Sequence, residues 1–276
     1  MVYKHIEHTG GFSEAKLDAY LHEYLPELKI KNRKALIVCP GGGYGKLSER
    51  EAEPIALKFF AEGLNVFILR YSIREKAADY RPLIEACLAI KYLREHCDEL
   101  LVDPEYVFIT GFSAGGHLAA WTGTQWHSEI VKAHLDGADS EICKPTATLP
   151  CYPVITNKPC RHKGSMLMLN GGVDDEEGMD RFSLELFVDG RTSPAFLWHT
   201  AEDADVPVMN SLLYASKLAE YKIPFELHVY PTGVHGLALS NKETYVNWPS
   251  YDIPYNAAWI DLAIHWVKEC PFKKTK

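Results

Sequence analysis

The sequence has no uninterrupted apolar run approaching the ~20 residues that a membrane-spanning helix needs, so no membrane partner is expected. It has no excess of positive charge. Its formal net charge is −8, which argues against a nucleic-acid surface, where clustered Lys and Arg must face phosphates. It has no CxxC pair: its 7 cysteines are scattered, odd in number, and in part sit inside apolar runs, as Cys39 and Cys87 do. That pattern fits reduced thiols acting as small hydrophobes rather than a disulfide frame. Met1–Phe12 carries Lys4, His5, Glu7 and His8 with no apolar stretch of a signal peptide. A cytoplasmic location is the expectation. Internal repeats, low-complexity tracts and Ser/Gly-rich linkers are absent as well, and 276 residues suit one large α/β domain.

What is present is an alternation of short apolar runs with longer helical patterns. Ala35–Cys39, Asn65–Tyr71, Tyr106–Thr110, Ala147–Ile155, Ala195–Thr200 and Phe225–Tyr230 are strand candidates, several of them almost wholly apolar or β-branched, as parallel strands covered on both faces are. Between them, Pro82–His96 places Leu83, Ala86, Cys87, Ile90 and Leu93 on one helical face. Ala114–Trp126, Val208–Tyr221 and Asn256–Lys268 are further helices. Ser48–Ala61 opens with Ser48 and Glu51 at capping-box spacing, although Pro54 disturbs the first turn. Leu17, Ala19 and Leu21 alternate with polar residues, so the segment up to about Leu25 adds antiparallel edge strands. The expected fold is a doubly wound, mostly parallel α/β sheet with N-terminal antiparallel edge strands. Residues 156–193 break the rhythm with Pro159, Gly164, Gly171, Gly172, an acidic run and Gly190. They form an insertion near the site, either a small cap or a plain surface excursion.

The strongest local signal is Gly111-Phe112-Ser113-Ala114-Gly115, a G-x-S-x-G pentapeptide between an apolar strand and an Ala/Leu-rich helix. The chain must turn sharply there with Ser113 at the apex. Side chains two residues before and after would collide, and glycine fills both places. Earlier, Cys39-Pro-Gly-Gly-Gly-Tyr-Gly45 follows the first buried strand. Adjacent glycines let backbone amides approach a reacting carbonyl, so the amides of Gly42 and Gly43, with Tyr44 as another candidate, join Ala114 as an oxyanion hole. A P-loop is excluded by Pro40 and Leu47, and a dinucleotide fingerprint by Lys46.

A serine hydroxyl is a weak nucleophile unless a histidine takes its proton and a carboxylate fixes that histidine. With an elbow of this kind the acid and base follow the serine, on loops after late strands. The strand Ala195–Thr200 runs into a loop with Glu202, Asp203 and Asp205. Asp203 is the expected acid and Asp205 the second choice. The last strand runs into Pro231-Thr-Gly-Val-His-Gly-Leu237, where His235 stands between Gly233 and Gly236. His235 is the expected base, ahead of His199, inside a strand, and His117, on the elbow helix.

These motifs resemble the α/β-hydrolase esterase/lipase family, and more narrowly its small acetyl-esterase branch, similar to acetylxylan and feruloyl esterases and often labelled sugar hydrolases. The resemblance runs from about Lys16 to Trp266 and rests on Cys-Pro-Gly-Gly-Gly-Tyr (39–44), Gly-Phe-Ser-Ala-Gly-Gly-His (111–117), Tyr-Pro-Val-Ile (152–155), Phe-Leu-Trp-His-Thr (196–200) and His-Gly-Leu (235–237). It implies a Ser113–His235–Asp203 triad and a small ester substrate such as an O-acetylated sugar or xylo-oligosaccharide. Pro40 stands where hormone-sensitive-type lipases carry His, which sets aside a lipase-like substrate range. Tyr44 and Trp248, with Trp126, Tyr251 and Tyr255, are candidate rim aromatics for a sugar face, and core cover is the competing explanation for all of them. No metal or organic cofactor is implied, and the oligomeric state stays open, a homo-oligomer included. Two other functions compete. A prolyl-oligopeptidase-type peptidase usually carries a propeller domain for which 276 residues have no room. A non-catalytic binding protein on the same scaffold would not need the triad.

Overall fold

A computed structural model describes residues 1–7, 15–245 and 249–273. Its strands are β1 (Val2–Glu7), β2 (Lys16–Leu21), β3 (Arg33–Cys39), β4 (Asn65–Arg70), β5 (Val102–Phe112), β6 (Thr148–Cys151), β7 (Ala195–Thr200) and β8 (Phe225–Tyr230). They form an 8-stranded sheet in the order β1-β2-β4-β3-β5-β6-β7-β8. β2 pairs antiparallel with both β1 and β4, and every pairing from β4 to β8 is parallel. The expected antiparallel N-terminal edge is therefore present.

The principal helices are α1 (Glu53–Ala61), α2 (Arg81–Glu95), α3 (Ala114–Gln125), α4 (Lys163–Leu169), α5 (Met209–Glu220) and α6 (Trp259–Glu269). Successive strand residues point to opposite faces, and in β3 both sets are buried. Ala35, Ile37 and Cys39 pack with Leu83, Cys87 and Ile90 of α2, Leu118 and Trp121 of α3, and Tyr214 and Leu218 of α5. Leu36 and Val38 pack on the other side with Ile55 and Phe59 of α1 and Trp259, Ala263 and Val267 of α6. Burial on two faces is why these strands read as continuous apolar runs rather than as alternation.

The departures from the sequence expectations have local causes. In β2, Leu17, Ala19 and Leu21 are buried as expected, but so is Asp18 between them. Its carboxylate is held by Arg70 Nε at 2.9 Å and His5 Nδ1 at 2.7 Å. Burial pushes that carboxyl up, but the bonds to Arg70 and His5 outweigh it and keep it below the usual range. β6 stops at Cys151, short of the expected Ile155, because Tyr152 takes a left-handed backbone (φ 35°) and Pro153 follows. α1 begins at Glu53 after a separate turn at Glu49–Glu51, and Ser48 makes no side-chain cap. The capping box does not form, since the Glu51 carboxylate is bonded elsewhere, to the amide of Gly41 and the hydroxyl of Tyr152.

Leu36 and Ile37 are both 0% exposed and face opposite layers. Leu36→Ala and Ile37→Ala should each cost about 2–5 kcal/mol of unfolding free energy, measured by urea denaturation. A cost below about 1 kcal/mol for either would mean that one face of the sheet is open rather than packed.

Candidate active site

β5 ends at Phe112 and α3 begins at Ala114, leaving Ser113 alone between them at φ 55° and ψ −115°. A non-glycine residue stays in that region only where its surroundings over-determine it. Here the Ser113 amide donates to Cys151 O at 3.0 Å, and its carbonyl accepts from His117 at 2.9 Å and Val154 at 3.2 Å. The flanking glycines are steric necessities. A Cβ on Gly111 would lie 2.0 Å from Gly115 O, and one on Gly115 would lie 2.1 Å from Cys39 O.

The loops after β7 and β8 bring two more expected side chains to Ser113. His235 Nε2 lies 2.8 Å from Ser113 Oγ, and His235 Nδ1 lies 2.6 Å from Asp203 Oδ2. With Nδ1–H donating to the carboxylate, Nε2 is free to accept the serine proton. Asp203 Oδ1 accepts from the amides of Asp205 (3.1 Å) and Val206 (2.9 Å). Its Oδ2 is also 3.3 Å from His199 Nε2. His199 Nε2 donates to Val206 O at 2.9 Å, while Nδ1 accepts from the Ser211 hydroxyl at 2.8 Å. His199, weighed as a base from the sequence, thus braces the acid instead.

The neighbouring acids have separate fates. Asp205 is exposed. Glu202 accepts from the Gly233 amide at 3.2 Å, and Thr200 donates to Gly233 O at 2.8 Å, so both pin the base loop. Burial pushes the Asp203 carboxyl up, but bonds from His199 and His235 overwhelm it and hold the group well below the usual carboxylate range. Burial pulls His235 down, yet the hydrogen bond and charge of Asp203, with Glu51 and Asp205, raise it above 6.5.

Opposite the elbow lies the glycine loop. The Gly41 amide is taken by Glu51 Oε2 at 3.0 Å. Among the described residues, the amides of Gly42, Gly43 and Ala114 are bonded to no acceptor, so they are available to an incoming oxygen. Tyr44 corrects one expectation. Its side chain is 0% exposed, and its hydroxyl donates to His117 Nδ1 at 2.8 Å, so it is core cover and cannot meet a substrate's surface. Trp126 is likewise buried, its indole N–H donating to Arg191 O at 3.3 Å, and Trp248 lies outside the described residues. His117, the other rejected base, donates from Nε2 to Phe182 O at 2.9 Å, and burial pulls it down to about 4. It is a neutral strut that ties the elbow helix and the glycine loop to residues 156–193.

Those inserted residues also supply a side chain the sequence gave no reason to select. His162 caps α4, its Nδ1 accepting from the Ser165 hydroxyl (2.8 Å) and amide (3.2 Å). Its Cε1 lies 3.6 Å from where a Cβ on Gly43 would stand. Burial lowers its basicity first and the nearby His235 second, which leaves a neutral imidazole beside the glycine loop. A histidine in a Gly/Pro-rich segment carries no positional signal, so only tertiary structure reveals it. Among the described residues, no cluster of three or more His, Cys, Asp or Glu side chains is arranged to hold a metal ion, and no helix is long and apolar enough to cross a membrane.

A mostly parallel eight-stranded sheet with a serine on a strained strand-to-helix elbow defines the α/β-hydrolase class. The family model described as BD-FAE matches residues 21–218, and the chain belongs to this family of α/β-hydrolase esterases, which are carboxylic ester hydrolases. The chain is 35% identical over 235 residues to endo-1,4-beta-xylanase B of Butyrivibrio fibrisolvens, covering 84% of this chain and 36% of that protein. It is 26% identical over 257 residues to an acetylxylan esterase of Xylanibacter ruminicola, covering 91% of this chain and 48% of that one. The chain therefore spans between a third and a half of the length of these curated relatives. Among solved structures, the acetyl ester-xyloside bifunctional hydrolase of Caldicellulosiruptor lactoaceticus superposes with a TM-score of 0.80 at 34% identity, covering 94% of this chain and 89% of that one.

The proton affinity of His235 gives a direct test of the geometry. In the wild type its NMR titration midpoint should lie above 6.5. In Asp203→Asn it should fall, because burial remains while the main opposing charge is gone. An unchanged midpoint would show that Asp203 does not govern the imidazole.

Proposed function

We propose that the chain is a serine carboxylesterase that hydrolyses short acyl esters, acetyl esters above all, through Ser113, His235 and Asp203. The observation that carries the reading is the unbroken hydrogen-bonded line from the Ser113 hydroxyl through His235 to Asp203, with unbonded amides beside it. Ser113 Oγ attacks the ester carbonyl carbon as His235 Nε2 takes its proton. The carbonyl oxygen becomes an oxyanion, and the amides of Gly42, Gly43 and Ala114 donate to it. Collapse breaks the bond to the alcohol, which leaves with the proton from His235, and the acyl group stays on Ser113. Water then repeats the sequence: His235 removes its proton, the hydroxide oxygen attacks the acyl carbon, and Ser113 leaves reprotonated as the carboxylic acid departs. Asp203 keeps the imidazole in the required tautomer and stabilises the imidazolium of each step.

Acetylated sugars or xylo-oligosaccharides are the substrates assigned within this proposal. The support comes from relatives named as acetylxylan esterase and acetyl ester-xyloside hydrolase. Burial of Tyr44 and Trp126 removes two of the candidate rim aromatics, while Tyr255 is exposed. His162, held by the buried Ser165, instead brings an imidazole edge beside the glycine loop, and we assign residues 156–193 as one wall of the site within a single α/β-hydrolase domain. A reducing, cytoplasmic setting belongs to the same proposal and rests on seven free cysteines.

The purified protein should release 4-nitrophenol from 4-nitrophenyl acetate and acetate from acetylated xylo-oligosaccharides. Ser113→Ala should lower kcat/KM by at least about 10³-fold. Equal rates for wild type and variant would reject the assignment. Acetyl and butyryl esters should outrun long-chain esters, and a preference for long chains would overturn the short-acyl assignment.

A further inference from the structure

The turn Glu49–Glu51 carries two side chains that the proposed chemistry leaves unused, and both reach into loops of the site. Glu51 is 3% exposed. One carboxylate oxygen accepts from the Gly41 amide at 3.0 Å, at the start of the glycine loop. The other accepts from the Tyr152 hydroxyl at 2.8 Å. That hydroxyl in turn accepts from the Ala238 amide at 2.9 Å, just beyond His235 in the chain. Arg50 reaches the same loop directly, donating from Nη2 to Gly236 O at 3.0 Å and from Nε to Thr244 O at 2.6 Å. The Ser48 amide donates to Gly41 O at 3.0 Å, which closes the tie to the glycine loop.

One short turn therefore grips the loop that offers oxyanion amides and the loop that offers the imidazole. A buried carboxylate is expensive unless its hydrogen bonds repay the lost hydration. Among the described residues Glu51 has no cation beside it, only neutral donors, and both of its donors lead to site loops. Each donor has a carboxylate oxygen of its own, which a neutral amide with a single acceptor oxygen could not supply.

We infer that Glu51 is a positioning residue of the esterase reaction, its carboxylate holding the oxyanion loop and the base loop in a common register with Arg50 alongside. The inference rests on the esterase reading and adds to it a second carboxylate that touches neither substrate nor reacting atoms. Its charge also acts on the base. The groups facing His235 are Asp203 and Asp205 from the loop after β7, Glu51 from this turn, His162 from the insertion and the Tyr152 ring at 5.3 Å. Glu51 favours the imidazolium, so removing its charge makes His235 easier to deprotonate.

Glu51→Gln keeps the shape and one acceptor while removing the charge. Kinetics with 4-nitrophenyl acetate, normalised to sites titrated by a stoichiometric fluorophosphonate, give the test. We expect kcat per titrated site to fall about 10- to 100-fold, with KM changed by less than about threefold and the acid limb of kcat/KM moved to lower pH. Wild-type kcat per site with an unmoved acid limb would overturn the inference, and so would a loss wholly explained by fewer titratable sites. Should Glu51→Gln fail to fold, Tyr152→Phe keeps Glu51 and cuts the link to Ala238. It should lower kcat per site about 10-fold, and a wild-type value would overturn the inference. A wild-type protein without esterase activity would instead remove the esterase reading, and this inference with it.

Discussion

The left-handed backbone of Ser113 is the constraint on which the site depends. At φ 55° the residue is strained, and the strain lifts its hydroxyl off the end of β5 toward the loops beyond β7 and β8. The conformation persists because the chain has no room to relax. Gly111 and Gly115 sit within contact of one another's backbone and of Cys39, and three backbone hydrogen bonds fix the peptide groups of Ser113. A parallel sheet packed on both faces makes that contact rigid, so core packing and site geometry are one problem.

Around this elbow the electrostatics are arranged in depth. Asp203 is held by two amides and by His199, which leaves one lone pair aimed at His235. Asp203 thus stays ionised in a buried place, and His235 is pushed above its ordinary affinity for protons. On the other side, His117 remains neutral and bonds both Tyr44 and the Phe182 carbonyl, so the glycine loop is braced from behind without added charge. The two histidines that the sequence offers as rival bases are supports instead, His199 for Asp203 and His117 for the glycine loop.

The legible parts of the sequence are those where one physical demand leaves few residue types. Strands buried on both faces must be apolar throughout, and β3, β4, β7 and the second half of β5 fall where apolar runs stand, whereas the edge strand β8 carries Glu226 and His228 and is only part-buried. A tight elbow demands glycine, which singles out Ser113, and the chain order of acid and base singles out Asp203 and His235, which the fold brings within hydrogen-bonding distance. Direction is what the sequence hides. Glu51 has the spacing of a capping box, but its side chain turns inward to Gly41 and Tyr152. Tyr44 follows three glycines, as a rim aromatic would, and turns into the core. His162 has no periodic or motif context at all. In each case the outcome is set by partners from distant segments, which no local pattern encodes.

The central claim is that Ser113 carries the acyl group between the two halves of the reaction. Mass spectrometry of protein quenched in acid during steady turnover of 4-nitrophenyl acetate measures this directly. The account predicts an acetyl adduct on the peptide that contains Ser113, present during turnover and gone once substrate is exhausted. An adduct on another side chain, or steady turnover at rates that should accumulate the intermediate with none detected, would contradict it.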